Sequence, residues 1–378
     1  MNQTSPLSLR EHFERVDDPR VERTKDYELL DIIVIAICAV ISGADDWVDI
    51  AGWGTEKIEF LRQFMPLENG IPSHDTFGRV FSRLDAVQFQ AAFLSWVQSA
   101  FEVSEGQVVA IDGKQMRRSH DRHVGKAAIY MVSAWASLNH LTLGQRKVDD
   151  KSNEITAIPE LLKVLALQGC IVTIDAMGCQ KEIATTILDQ EAEYILALKE
   201  NQEHLYQDTV ALFDHLEQIP AHGLNTDYVR TVEKDHGRIE IRECWTVTDP
   251  LGFPYFRTSQ NWPQLHTLVK VRRERRLGDK ITIETHFYIA SLLGSALLLL
   301  NAIRAHWRIE NSLHWVLDVA FREDDQRVRV GNSPQNFAVL RHIALNLLKH
   351  EPSLKVGIKA KRKRAGWSEA YLLKILSI

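Results

Sequence analysis

The 378-residue sequence has few cysteines, no long apolar run and no net positive charge, and each shortage excludes a class of protein. Its four cysteines form no Cys-x-x-Cys pair, which argues against a disulfide scaffold and favours a reducing, cytoplasmic location. The most apolar run, from Leu29 to Ile41, contains Asp31 and is shorter than the roughly 18 to 20 residues that cross a membrane. We therefore predict a buried helix there and no association with a membrane.

The chain begins with the polar stretch MNQTSPLSLREHFERVDDPR, so we expect no secretory signal. Low-complexity tracts and obvious repeats are also missing from the sequence. The composition, 45% hydrophobic and 25% charged, is ordinary for a soluble globular protein, and the length allows two or three domains.

The net charge of −5 excludes a chain coated in basic residues, but two local segments are strongly basic. Their central basic residues are Arg272, Arg273, Arg275 and Arg276 in KVRRERR, and Lys361, Arg362, Lys363 and Arg364 in KVGIKAKRKRAGW. Such clusters either form solvated surfaces or bind phosphates. We predict DNA phosphate contacts for both segments and a basic C-terminal tail at residues 351–378.

The spacing of apolar residues is helical up to about residue 102. In GIPSHDTFGRVFSRLD, Ser73 is placed to cap a helix whose apolar face contains Phe77, Val80 and Phe81. We predict an all-helical N-terminal domain, residues 1–102, which either supports the rest of the protein or binds DNA ends.

Strands and helices alternate after residue 103. The runs QVVAIDGK, AIYMVSAWAS and LTLGQRKV predict three strands, and CIVTIDAMG and EYILALK predict two more, joined by helices. This order predicts an α/β domain at 103–350, with a mixed sheet covered by helices. Alternating runs such as RIEIRECWTVT predict a β-rich insertion at 214–294, followed by one long helix through HWRIENSLHWVLDVAF.

Two predicted strands end in a carboxylate, Asp112 after VVAI and Asp175 after CIVTI. An ionised carboxylate at the end of a buried strand requires a cation or hydrogen bonds, because its desolvation is costly. The alternative for Asp112 is a turn, since Asp-Gly is a common turn dipeptide. If the strands are neighbours, both carboxylates reach the same edge of the sheet.

Glu310 lies on the predicted long helix, in HWRIENSLHW. Together with the two aspartates it would supply the oxygen ligands that Mg²⁺ or Mn²⁺ prefers. His306 and His314 flank Glu310 and suggest zinc as an alternative. Their eight-residue separation, about 12 Å along a helix, makes that alternative weaker. We expect Trp307 and Trp315 to pack against the protein and fix the helix.

Several motifs occur together and in order: GIPSHDTFGRVFSRLD, AIDGKQMRRS, TIDAMGCQKEIA, YILALKENQ, HGRIEIRE and HWRIENSLHWVLDVAFREDDQRVR. They resemble the bacterial insertion-sequence DDE transposases that include the H-repeat-associated proteins, from near residue 10 to the end. The resemblance implies an RNase H-like catalytic domain interrupted by the β-rich insertion. It also implies that Asp112, Asp175 and Glu310 are its three catalytic, metal-binding acids.

The implied activity is cutting of element ends and joining of the freed 3′-OH to target DNA by phosphoryl transfer with two Mg²⁺ or Mn²⁺ ions. The implied partners are double-stranded terminal inverted repeats, target DNA and a second copy of the chain in a homodimer, nucleoid-associated when bound to DNA. Two alternatives remain: a transposition-inactive DNA-binding remnant, or a metal-dependent nuclease without strand transfer.

Related transposases often carry Tyr-x2-Arg-x3-Glu-x6-Lys on the acidic helix, and this chain keeps only the Glu. Other basic residues must therefore contact phosphates. We predict this role for residues near the acids, namely Lys114, Arg117, Arg118, Lys199 and His306. Glu154 is either a supplementary acid or a first-turn carboxylate of a helix, and we favour the second interpretation.

Overall fold

Six α-helices form the N-terminal part of the computed structural model, which describes residues 8–101, 104–120, 128–148, 153–218, 223–235 and 237–377. They are α1 (Ser8–Phe13), α2 (Leu29–Ile41), α3 (Trp47–Glu56), α4 (Ile58–Leu61), α5 (His74–Arg83) and α6 (Ala86–Ala100). Helix α2 is buried along nearly all of its length, which confirms the predicted buried helix. The hydroxyl of Ser73 accepts a hydrogen bond from the Thr76 N–H at 3.3 Å, so the predicted cap of α5 is confirmed.

Strands and helices alternate in the next part of the chain. The strands are β1 (Val108–Gln115), β2 (Tyr130–Ala136), β3 (Leu141–Lys147), β4 (Ile171–Ile174) and β5 (Glu193–Leu198), and the helices are α7 (Glu154–Leu162), α8 (Lys181–Asp189) and α9 (Glu203–Gln218). The sheet order is β3-β2-β1-β4-β5. Strands β1, β4 and β5 are parallel, and β2 is antiparallel to both β1 and β3. This is an RNase H-like mixed sheet, as predicted.

Four long strands follow, β6 (Asn225–Asp235), β7 (Arg238–Thr248), β8 (Thr267–Leu277) and β9 (Lys280–Ala290). They form an antiparallel meander, and the last four residues of β9 pair with β5. The β-rich segment therefore extends the RNase H-like sheet to nine strands in the described residues. Because α9 continues to Gln218, the first strand begins later than the predicted limit at residue 214.

The remaining helices are α10 (Ala296–His306), α11 (Trp315–Phe321), α12 (Ser333–His350), α13 (Ile358–Trp367) and α14 (Glu369–Leu376). A five-residue π turn, Glu310–His314, lies between α10 and α11, so the predicted single long helix is interrupted. Helix α12 packs against α2, α5 and α6, and the N-terminal helices and the sheet share one hydrophobic core. The predicted boundary at residues 102 and 103 lies outside the described residues, and the domain limits stay a prediction.

Residues 358–376 form α13 and α14, although the sequence predicts a basic tail there. Ala365, Leu372 and Ile375 are buried in the common core. The prediction of a tail was wrong because apolar residues at helical spacing accompany the basic ones. Within the described part of the chain, no helix combines the length and the apolar character needed to span a bilayer.

Candidate active site

Asp112 and Asp175 lie at the same edge of the sheet because β1 and β4 are neighbouring parallel strands. The paired residues Ile111 and Ile174 immediately precede them. Asp112 is within β1, and Gly113 after it pairs with Val132 of β2. The alternative of an Asp-Gly turn at Asp112 was therefore wrong. Asp175 directly follows β4, and neighbouring strands of a sheet are spaced about 4.8 Å apart, so the two aspartates follow adjacent positions of the sheet.

Asp175 begins the loop between β4 and α8. One of its carboxylate oxygens accepts hydrogen bonds from the backbone N–H groups of Met177 at 3.0 Å and Gly178 at 3.2 Å. These bonds fix the carboxylate against the loop that follows the strand. The local sequence Asp-Ala-Met-Gly therefore orients this side chain as well as ending the strand.

Glu310 opens the π turn, in which the Trp315 N–H bonds to the Glu310 carbonyl five residues earlier. Its carboxylate lies 3.0 Å from Nδ1 of His314, and the same nitrogen lies 3.6 Å from a carboxylate oxygen of Asp112. One ligand atom from each of these three residues lies within 4.8 Å of the others. The turn therefore brings Glu310 close to Asp112 of β1.

His314 is a site residue that the sequence placed beside Glu310, in the zinc alternative, but not beside Asp112. Its imidazole is 4% exposed, and Nε2 has no hydrogen-bond partner among the described residues. The four-residue spacing from Glu310 was a usable signal, because such residues share a helix face. In the structure this spacing gives a hydrogen-bond contact between the His314 ring and the Glu310 carboxylate at 3.0 Å.

The charges at this edge repel one another. Burial raises the pKa of the Asp112 carboxyl to about 6, the nearby His314 opposes that rise, and the negative charges of Asp175 and Glu310 add to it. A bound cation would relieve this repulsion, and carboxylate oxygens suit a hard divalent ion. The donor set therefore fits a Mg²⁺ or Mn²⁺ centre, with His314 as an additional nitrogen donor.

Glu154 is the first residue of α7, as the favoured interpretation predicts, but its side chain also reaches the site. Its carboxylate accepts a hydrogen bond from the Tyr130 hydroxyl, and burial together with the charge of Asp175 raises its pKa. A Cβ atom at Gly113 would lie less than 3.0 Å from both the Tyr130 ring and the Glu154 carboxylate. Gly113 thus leaves the space that this pair occupies beside Asp112.

Comparison with known proteins gives the family of the chain. The family model described as "Transposase DDE domain" matches residues 103–347, and the DDE_Tnp_1-associated model matches residues 10–97. The chain belongs to the DDE transposase family. It is thus an enzyme of DNA strand cleavage and transfer, of the insertion-sequence type, and its domain implies the use of a divalent metal.

Two relatives match the transposase over nearly its full length. It is 39% identical to "Putative transposase YncI" of Escherichia coli O157:H7, over 98% of this chain and 94% of the relative. It is 38% identical to "H repeat-associated putative transposase YhhI" of Escherichia coli K12, over 98% of this chain and 97% of the relative. A solved piggyBac transposase synaptic complex with hairpin DNA is similar at a TM-score of 0.47 and 10% identity, covering 98% of this chain and 81% of that chain.

Lys114, which we predicted to contact DNA, is an internal residue of the transposase. Its ammonium bonds to the Asp318 carboxylate and lies 3.0 Å from the Glu323 carboxylate, which is itself buried. Lys114 is thus engaged by carboxylates within the protein and is not directed to the surface. The prediction was wrong because its partners lie about 200 residues away in sequence, on α11 and the turn after it.

The other predicted DNA contacts near the acids are more accessible. The side chains of Arg117 and Arg118 are 78% and 50% exposed and pair with Asp324 and Asp325. Lys199 is exposed just after β5, at the same sheet edge as Asp175, and forms no ion pair with the residues that the structure describes. It lines a cleft of about 720 Å³ that Met177 and Phe287 also line.

His306 lies at the end of α10, beside the acids. Its Nδ1 is 3.1 Å from the Thr173 hydroxyl of β4, two residues before Asp175. Burial lowers the pKa of His306, and the negative charge of Asp175 opposes that shift. The imidazole therefore connects α10 to β4, and a phosphate contact by His306 stays a prediction.

Most arginines of the segment from residue 270 to 276 are neutralised by acids of the β meander. Arg272 lies 2.7 Å from Glu243, Arg273 lies 3.4 Å from Glu240, and Arg276 lies 2.6 Å from Glu274. Arg275 is exposed and has no ion-pair partner in the described part of the chain. The positive charge available to DNA is therefore smaller than the sequence suggests.

Lys361 and Arg362 were wrongly predicted to contact DNA, because both are buried in α13. The Lys361 ammonium donates to the carbonyls of Leu348 and Glu351. The Arg362 guanidinium donates to backbone carbonyls and to Asp45. The neighbouring Lys363 and Arg364 are exposed, and their predicted role is untested.

The two tryptophans that flank Glu310 are more exposed than the predicted packing role requires, although the Trp307 ring contacts the ring of His306 edge to face at 5.8 Å. Trp307 is 60% exposed and Trp315 is 58% exposed. The buried residues of this segment are Ile309, Leu313, His314 and Leu317. The tryptophans therefore border the acid on the outer side of the helix.

Proposed function

We propose that the protein cuts the ends of an insertion-sequence-like element and joins each freed 3′-OH to target DNA. Two observations support this proposal in a chain of this family: Asp112 and Asp175 directly follow the paired residues Ile111 and Ile174, and Glu310 lies with His314 beside Asp112. In the first step water attacks the scissile phosphorus and the P–O3′ bond breaks, which leaves a 3′-OH on the element and a 5′-phosphate on the flank. In the second step that 3′-OH displaces the 3′-oxygen of a target phosphodiester.

The three acids are the proposed ligands of two Mg²⁺ or Mn²⁺ ions, which when bound stabilise the attacking and leaving oxygens of such a displacement. Asp175 presents a carboxylate already oriented by two backbone N–H groups. His314 holds the carboxylate of Glu310 next to that of Asp112. Because one phosphodiester replaces another in the second step, no energy-rich cofactor is required.

The proposed substrates are double-stranded terminal inverted repeats and target DNA, held by a homodimer in the active complex. The exposed Lys199, which follows β5, and the exposed Arg117 and Arg118, which follow β1, are the proposed phosphate contacts beside the acids. Arg275, Lys363 and Arg364 are more distant candidates. We propose residues 1–102 as the domain that binds element ends, and a cytoplasmic, nucleoid-associated location for the bacterial protein.

The test is a cleavage assay on DNA that carries the inverted repeats found in the sequence flanking the gene. We expect Mg²⁺-dependent nicking by the wild type and none by Asp175→Asn, because the substitution removes a metal-binding charge while keeping the shape of the side chain. Asp189→Asn, at an exposed position at the far end of α8, is the matched control and should nick like the wild type.

Each alternative gives a different result. Nicking that survives Asp175→Asn contradicts the assigned site. Cleavage without any joining of the 3′-OH indicates a metal-dependent nuclease. Specific binding of the repeats by the wild type, without cleavage, indicates a transposition-inactive remnant.

A further inference from the structure

Lys349 is a partly buried lysine that the reaction described above does not use. It lies in the last turn of α12, and its Nζ donates a hydrogen bond to the Ser312 carbonyl at 2.7 Å. The same ammonium lies 4.2 Å from the ring centroid of Trp135 in β2. Burial alone lowers its pKa to about 7, and no ion pair joins it to a carboxylate of the described chain.

This environment is unusual for a lysine. A buried ammonium is costly unless it is compensated, and here the compensation is a carbonyl oxygen and the face of an indole ring. A packing role would be filled at lower cost by methionine or leucine. The hydrogen-bond donor therefore has a specific use at this place, and the amine keeps N–H groups in both its protonated and its neutral form.

The bonded carbonyl belongs to the middle residue of the π turn that contains Glu310 and His314. A π turn accommodates one residue more than an α-helical turn does, and its backbone hydrogen bonds are shifted by one position. If the segment relaxed to a regular α-helix, the residues before the turn would rotate about the helix axis by about 100° relative to the residues after it. Such a rotation would separate Glu310 or His314 from Asp112.

Trp135 connects this lysine to the strands of the site. It pairs with Ala110 of β1, two residues before Asp112. Lys349 thus contacts both the strand beside one acid and the turn that contains another. A single ammonium links the two parts of the site that must keep a fixed distance.

We propose that Lys349 is a positioning residue for strand cleavage, which holds the π turn in the conformation that brings Glu310 and His314 to Asp112. This role rests on the proposed function, since Lys349 acts through the acids and not on the DNA.

The test compares full-length Lys349→Met with the wild type in single-turnover nicking at increasing Mg²⁺ concentration. We expect Lys349→Met to have either a maximal nicking rate that is about 10- to 100-fold lower or a Mg²⁺ requirement that is about 10- to 100-fold higher. This is the range found for residues that orient metal ligands. DNA affinity in EDTA should not change. Lys349→Arg, which keeps a cation and a donor, should recover most of the loss.

Lys361→Met is the matched control. Lys361 is also buried and donates to backbone carbonyls, but its partners, Leu348 and Glu351, lie outside the π turn. We expect this variant to keep the Mg²⁺ requirement of the wild type even if its melting temperature falls. An equal change of the Mg²⁺ requirement in both variants would mean a general loss of packing and would overturn the proposal.

Amide hydrogen exchange of residues 310–315 gives a second measurement that does not depend on activity. Lys349→Met should speed exchange there, and Lys361→Met should not. If the wild type does not nick DNA, the proposed function fails, while the exchange experiment still decides whether Lys349 holds the turn. If Lys349→Met exchanges its amide hydrogens and nicks DNA like the wild type, the inference is refuted. If Lys349→Met does not fold, Lys349→Gln takes its place and is judged by the same criteria.

Discussion

Replacing Lys114 by methionine tests whether this residue stabilises the protein or contacts DNA. The ammonium of Lys114 is shared by Asp318 and Glu323, and it ties β1, which contains Asp112, to the segment that follows Glu310. Methionine keeps the length of the aliphatic chain and removes the charge. The structure therefore predicts a loss of stability and an unchanged affinity for DNA.

The magnitude follows from the burial of the remaining partner. Burial alone would raise the pKa of the Glu323 carboxyl, but Lys114 and Arg341 lower it below its ordinary value. Removing one partner of a buried ion pair costs about 3 to 5 kcal/mol, because the other charge is left uncompensated. Arg341, at 3.4 Å, still compensates part of the charge, so we expect about 3 kcal/mol, at the lower end of that range.

Urea-induced unfolding followed by circular dichroism measures the loss, and fluorescence anisotropy with a labelled duplex measures DNA binding. Lys199→Met is the control, because Lys199 is exposed; it should unfold like the wild type and bind DNA more weakly. Adding Glu323→Gln to Lys114→Met should restore part of the stability, since it removes the uncompensated charge. A loss below about 1 kcal/mol, the value typical of an exposed pair, combined with weaker DNA binding, would refute this reasoning.

Two further predictions concern buried positions. Gly113→Ala should destabilise the protein by about 1 to 3 kcal/mol, the cost typical of an overpacked site. It should also slow nicking, because the added methyl group displaces Glu154 and Tyr130. Unfolding and nicking assays in which the variant matches the wild type would contradict this prediction. Burial lowers the pKa of His342 to about 4, and the charge of Glu323 only partly opposes this. Because the unfolded chain then binds the extra proton between about pH 6.5 and 4, stability should fall as the pH is lowered through that window. His342→Gln should make the fall shallower in melting temperatures measured across that range, and an unchanged pH dependence would argue against the assignment.

Asp112 and Asp175 could be found from the sequence because the signal is local, although β1 continues to Gln115, so Asp112 does not end its strand as predicted. Four of the five residues before Asp175 are apolar, and a carboxylate after such a run has few explanations. The same holds for α2 and for the Ser73 cap, where composition and spacing within one element decide the outcome. Local patterns of this kind placed two of the three acids at one edge before any contact was known.

The features that were missed depend on partners far away in the sequence. Lys361 and Arg362 belong to a run of charges, yet they satisfy backbone carbonyls inside the protein. The arginines of β8 are paired with acids of β7 that the alternating pattern does not reveal. The π turn leaves no mark in the apolar spacing, because Leu313 and Leu317 fit an ordinary helix equally well.

The pairing of β9 with β5 has a consequence for how the protein is made. A strand at the edge of a sheet presents unpaired N–H and C=O groups to other chains, and β5 would be such an edge if the sheet ended there. Its partner leaves the ribosome only after β6, β7 and β8 have been synthesised. During that interval β5 has no partner on its outer side. A chain truncated after α9 would leave that edge of β5 permanently unpaired. The inserted strands therefore cover the edge at β5 and move the free edge of the sheet to β6, away from Asp112 and Asp175.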